Sequence, residues 1–158
     1  MGWIKRLFEW FKKSEPVFPF IKPARRVSRV FLHCSASDYP AHDNVATIRK
    51  WHLARNFSDI GYHYYIDKAG AIHAGRPLHK IPAAQSGHNT GTIAICLGGF
   101  EDFTPAQFAS LKRVCKAIDD AYESLITFHG HNEVSNKACP VYPYKGILML
   151  DKQGGLGL

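Results

Sequence analysis

The chain has 158 residues, is 46% hydrophobic and 21% charged, and carries a formal net charge of +7. That length and balance suit one compact domain with a proper core and exclude a disordered chain. No stretch reaches the roughly 18 to 20 apolar residues that span a bilayer, and the N-terminus lacks the continuous apolar segment and cleavage site of a signal peptide.

Residues 1–14 form a first unit. Trp3, Ile4, Leu7, Phe8 and Phe11 follow a helical stripe, with Trp10 beside it and Lys5, Arg6, Lys12 and Lys13 supplying positive charge. A basic helix with tryptophan and phenylalanine on its apolar face has the makeup of an interfacial membrane helix, and the same stripe serves a helix docked on its own domain or on a second copy. Residues 15–26, with Pro16, Pro19 and Pro23, read as an extended linker, and residues 27–158 as the folded domain.

Within that domain Val27 to His33 reads as the first core strand, with His33 at its end. Asp43 or Asn44 caps a helix running through Ile48, Trp51 and His52 to about Asn56. A strand from Gly61 to Ile66 turns at Lys68-Ala69-Gly70 and returns over Ala71 to Ala74. Loop signals fill Pro77 to Gly91, and the continuous apolar run Thr92 to Leu97 predicts a buried central strand. Thr104 as cap and Pro105 in the first turn open the clearest helix, whose apolar face holds Phe108, Leu111, Val114, Cys115, Ile118 and Tyr122. A short strand over Leu125 to Phe128 and a last short helix over Tyr144 to Leu150 complete an α/β domain. The four cysteines stand at irregular spacings, three of them in apolar segments, so free thiols are expected rather than disulfides.

The run His131-Asn132-Glu133-Val134-Ser135-Asn136-Lys137-Ala138-Cys139-Pro140 carries the chemistry. Asn136 and Pro140 discourage helix, and a loop can fold His131 and Cys139 back onto one ion. Imidazole and thiolate are donors that Zn²⁺ prefers, and a catalytic zinc takes about three protein ligands, so a third donor must come from elsewhere. Structural zinc sites close with a fourth donor and use short Cys-x-x-Cys pairs, a spacing missing from this sequence. Of the other histidines, His42, His73 and His79 read as surface residues, His52 as packed or capped, and His129 as a neighbour of His131 rather than a ligand. Cys34 should point to the opposite face of its strand from His33, into packing.

Four motifs in order, Phe31-Leu32-His33-Cys34-Ser35-Ala36, Ile48-Arg49-Lys50-Trp51-His52, Asp59-Ile60-Gly61-Tyr62-His63-Tyr64 and His131-Asn132-Glu133-Val134 with Lys137-Ala138-Cys139-Pro140, resemble the zinc N-acetylmuramoyl-L-alanine amidases of bacteriophage lysozyme type. Phe103-Thr104-Pro105-Ala106-Gln107 agrees as well, the match spans about residues 27 to 150, and the same family includes the peptidoglycan recognition proteins. The resemblance implies a mixed central sheet flanked by helices, Zn²⁺ held by His33, His131 and Cys139, and Tyr62 and Lys137 facing the reacting carbonyl. The loop Ala83-Ala84-Gln85-Ser86-Gly87-His88-Asn89 departs from the pattern, being shorter and lacking its first histidine, which leaves the substrate contacts of residues 77–91 open. Residues 1–26 lie outside the resemblance.

It implies a peptidoglycan hydrolase, a phage endolysin, that cleaves the amide between N-acetylmuramic acid and L-alanine. Such a protein would be made in the host cytoplasm, act on the cell wall after release, work as a monomer and have no nucleic-acid partner. Two other readings belong to different classes: a non-catalytic peptidoglycan-binding module, and a regulator that contacts a polymerase. Recognition relatives without activity commonly lack the cysteine ligand, and Cys139 is present. For the N-terminal segment, the full chain is expected to bind anionic liposomes and a chain beginning at Val17 to lose that binding; equal binding would remove the membrane assignment.

Overall fold

The computed structural model describes residues 16–158, so the expected helix over residues 1–14 lies outside the described residues. The apolar run Thr92–Leu97 becomes β4, the middle strand of a five-stranded sheet in the order β3-β2-β4-β1-β5, and all six of its residues are buried. Its neighbours are β1 (Arg29–Cys34) and β2 (Tyr64–Ile66), both parallel to it. β5 (Thr127–Gly130) pairs parallel with β1, while β3 (Ile72–Ala74) pairs antiparallel with β2, so the sheet is mixed as expected. A parallel strand at the centre is covered on both faces, which explains why its sequence shows no polar alternation.

Alternate residues of β1 serve different layers. Val30, Leu32 and Cys34 join the main core with Leu111, Val114, Cys115 and Ile118 of α2 (Pro105–Ala121). On the other face Cys96 and Tyr65 pack with Ile48 of α1 (Val45–Ala54) and Ile60 in a smaller cluster, and Trp51 and Tyr62 border it. α2 starts where the sequence indicates: Thr104 Oγ1 accepts from the Gln107 backbone N–H at 3.2 Å, and Gln107 Oε1 accepts from the Thr104 N–H at 2.9 Å. Gln107 Nε2 also donates to the carbonyls of Ile66 and Gly98, tying the helix start to the ends of β2 and β4.

β1 runs over Arg29–Cys34 rather than Val27 to His33, and the starts of β2 and β5 move from their expected places for local reasons. Gly61 stands outside β2 because its N–H donates to His52 Nδ1 at 2.8 Å and its carbonyl accepts from Ala83; a β-carbon there would lie 2.2 Å from the Ala83 oxygen. Leu125 is 79% exposed and its N–H closes the end of α2 on Tyr122, so β5 begins only at Thr127. α3 spans Tyr144–Ile147, shorter than expected. Residues 16–26 contain no helix or strand and lie on the domain: Phe18 packs edge-on against Tyr64, Phe20 packs against Tyr122, and Arg25 donates to the carbonyls of Leu78 and Thr92.

His52 and His63 are both buried. His63 Nδ1 accepts from the Ala94 N–H at 3.0 Å while its Nε2 meets the Lys80 carbonyl at 2.9 Å, and His52 Nδ1 accepts from Gly61, so each ring must be neutral. Burial, reinforced by nearby arginines, lowers the pKa of each to about 4. The unfolded chain binds these protons more readily, so this contribution is complete above about 6.5 and is lost as pH falls toward 4. Unfolding of the metal-free protein followed from pH 7 to pH 4 should therefore show falling stability, with the two rings taking up roughly two protons near pH 5 and about one at pH 4. A flat profile would show that the rings are not held neutral.

Candidate metal centre and its groove

Parallel pairing of β1 and β5 brings the site together. Leu32 stands opposite Gly130, so His33 and His131 follow side by side at the carboxyl ends of the two strands, with ring centroids 4.7 Å apart. Immediately after β5 the chain makes a single 3-10 turn over His131–Glu133. Glu133 holds this turn: its carboxylate accepts from His129 at 2.7 Å, from the Gly130 N–H and from the Tyr144 hydroxyl, which lowers its own pKa despite burial. The loop returns through Asn132 N–H to the Cys139 carbonyl at 2.7 Å, closing the stretch between the two expected ligands into a ring.

His33, His131 and Cys139 converge, with their donor atoms all within 4.8 Å of one another. Cys139 Sγ lies 3.7 Å from His33 Nδ1 and accepts the Cys34 backbone N–H at 3.3 Å. Both imidazoles are buried, and burial lowers their pKa values, that of His33 to about 3, so both rings are neutral at neutral pH and each keeps one lone pair. The facing thiol of Cys34 and burial raise the pKa of Cys139, a preference that a bound cation would reverse. Two neutral imidazoles and a thiol form a donor set that fits Zn²⁺, and among the described residues no fourth His, Cys, Asp or Glu joins the group.

Two of the three donors, His131 and Cys139, line a groove of about 870 Å³ whose walls include Trp51, Arg55, Tyr62, Ala84 and Lys137, while His33 is buried beside them. Lys137 is exposed on its rim, and its positive charge helps lower the pKa of both His33 and His131. The ring of Tyr62 lies against His33 at 5.1 Å and His52 at 5.3 Å. Burial raises the Tyr62 pKa well above its ordinary value, so the phenol keeps its proton.

Of the five residues singled out from the sequence, Tyr62, His131, Lys137 and Cys139 line this groove, and His33 is buried beside it within the donor group. His129 is a neighbour held by Thr127 and Glu133, and His52 is packed, as expected. Cys34 faces the main core as the strand alternation requires, yet as the last residue of β1 it also touches Cys139, a contact that strand periodicity could not reveal. Gln85 was missed as well: it is wholly buried, and its Oε1 lies 2.9 Å from His33 Nε2.

Comparison with known proteins gives a consistent picture. The family model described as N-acetylmuramoyl-L-alanine amidase matches residues 23–142. The endolysin of Escherichia phage T7 is 34% identical over 132 residues, which cover 78% of this chain and 87% of that protein, and the endolysin of Enterobacteria phage T3 matches equally. Among solved structures, the N-acetylmuramoyl-L-alanine amidase LysC from Clostridium intestinale URNW superposes with a TM-score of 0.71 at 26% identity, covering 85% of this chain and 93% of that one. The Drosophila peptidoglycan recognition protein SD shares the fold, with a TM-score of 0.63 at 21% identity and coverage of 80% and 82%.

Proposed function

The chain belongs to the N-acetylmuramoyl-L-alanine amidase family, and from that premise we propose that it is a zinc-dependent peptidoglycan hydrolase of endolysin type, cleaving the amide between N-acetylmuramic acid and L-alanine. The observation that carries this reading is the convergence of His33, His131 and Cys139 on one side of a groove rimmed by Lys137. Bound there, zinc would lower the pKa of a water toward about 7 and polarise the amide carbonyl.

The remaining work falls to side chains already in place. His33 and His131, unprotonated at neutral pH, present lone pairs rather than charge. As the amide carbon becomes tetrahedral, negative charge develops on its oxygen, and Lys137 supplies a cation at the rim of the groove to meet it. Tyr62 is a donor, because its proton is not lost near neutral pH. The groove, about 870 Å³, has room for a glycopeptide segment and stands open to it along one side. Synthesis in a host cytoplasm followed by action on the wall accords with this reading, and so does peptidoglycan as its partner.

Replacing Cys139 by Ala should abolish stoichiometric zinc uptake and cut release of free L-alanine amino groups from purified peptidoglycan by more than about 100-fold, since a direct ligand matters more than the about 10 to 100-fold typical of its supporting groups. Retained hydrolysis would remove Cys139 from the site, and a wild-type chain that binds peptidoglycan without cleaving it would favour the recognition-module reading. Lys137→Met should leave zinc uptake and KM close to wild type while lowering kcat by about 100 to 1,000-fold. An unchanged kcat would make Lys137 an ordinary surface lysine.

A further inference from the structure

We infer that Gln85 is the positioning residue of this site: a directed chain of hydrogen bonds running from the Asn89 carbonyl through Thr92 and Gln85 fixes which nitrogen of His33 carries its proton, and so turns a bare Nδ1 toward Cys139. The inference deepens the amidase reading and rests on it for the identity of the metal.

The direction of the chain follows from counting protons. Thr92 Oγ1 lies 2.7 Å from the Asn89 carbonyl, which can only accept, so the single hydroxyl proton is committed there. At 2.8 Å from Gln85, the same oxygen must then accept, which identifies the facing amide atom as Nε2. The second Nε2 proton reaches the His88 carbonyl at 3.3 Å. What remains is Gln85 Oε1, an acceptor with no proton to give, 2.9 Å from His33 Nε2. That contact requires the proton on Nε2. Nδ1 is left with its lone pair on the side of Cys139 Sγ, 3.7 Å away.

The loop is built to hold this arrangement. Asn89 Oδ1 accepts the backbone N–H groups of both Ala84 and Gln85 at 3.0 Å, fixing the backbone from which Gln85 projects. Gln85 is 0% exposed and every hydrogen-bonding atom of its amide is used, a costly choice for an interior position unless the amide has a directional task. This is the same stretch in which the sequence departs from the family pattern. Because Ala84, Ser86 and Asn89 also line the groove, one hydrogen-bonded unit joins the groove wall to His33.

The test uses the full chain. Zinc affinity is measured by competition with a chromophoric chelator for wild type, Gln85→Met and Gln85→Glu, and the tautomer of His33 is read from ¹⁵N–¹H spectra of the metal-free protein. Gln85→Met should bind zinc about 10 to 100-fold more weakly, in the range found when a partner of a metal-bound histidine is lost. Gln85→Glu, whose carboxylate still accepts from His33 Nε2 but loses the donors to Thr92 and His88, should bind zinc more tightly than Gln85→Met, a partial rescue that lost packing alone would not produce. Wild-type His33 should show the Nε2-protonated tautomer, a readout that needs no variant to fold. Folded Gln85→Met that binds zinc like wild type, or a wild-type His33 protonated on Nδ1, would overturn the inference. A wild-type chain that takes up no zinc yet shows the Nε2-protonated ring would sink the amidase reading and leave the positioning of His33 intact.

Discussion

The register between β1 and β5 is the constraint on which the site depends. Two parallel strands end at the same edge of the sheet, so residues that leave their carboxyl ends together, His33 and His131, become neighbours without any further device. A slip of one residue would turn every side chain of β5 to the opposite face and break the pair. The register is held by burial on the main-core face: Val30, Leu32 and Phe128 are all fully buried there, so a shifted pairing would move apolar side chains out of the core. The chemistry thus inherits its precision from hydrophobic packing more than from its own polar contacts.

The third donor comes by a different route. Cys139 lies in a loop, and loops by themselves place side chains poorly. Here the ends of the loop are pinned by the Asn132 to Cys139 backbone bond, its start by the three groups that Glu133 accepts, and its far side by the Tyr142 hydroxyl, which donates to the His33 carbonyl at 3.3 Å. Each tether uses a residue close in sequence to a ligand, so the sequence between His131 and Tyr144 is nearly all committed to one geometry.

Much of this was legible beforehand, and the physical reasons differ by element. β4 and α2 were read nearly to the residue because a six-residue apolar run and a Thr-Pro start with helical spacing are strong local signals. β2 and β5 were misplaced at their starts because Gly61 and Leu125 look like strand residues while long-range contacts with His52 and Ala83, or the closing turn of α2, decide their fate. The residues at the groove were found through separated motifs matching a family, since no local rule joins His33 to Cys139 across 105 intervening positions. Gln85 carried no such signal. A glutamine in a loop is ordinarily a surface residue, and only the fold shows that it is buried against a histidine.

The donor count separates a catalytic from a structural role for the metal. A structural zinc site is closed by a fourth protein ligand, and the nearest candidate is Cys34, whose backbone and thiol both meet Cys139. Yet Cys34 is the last residue of β1 on the core side, one position beyond His33, and strand alternation sends its side chain away from the face that His33 occupies. Cys34 therefore falls outside the set of donors that lie within 4.8 Å of one another. With three protein donors, a metal held there would keep a fourth position for solvent or substrate.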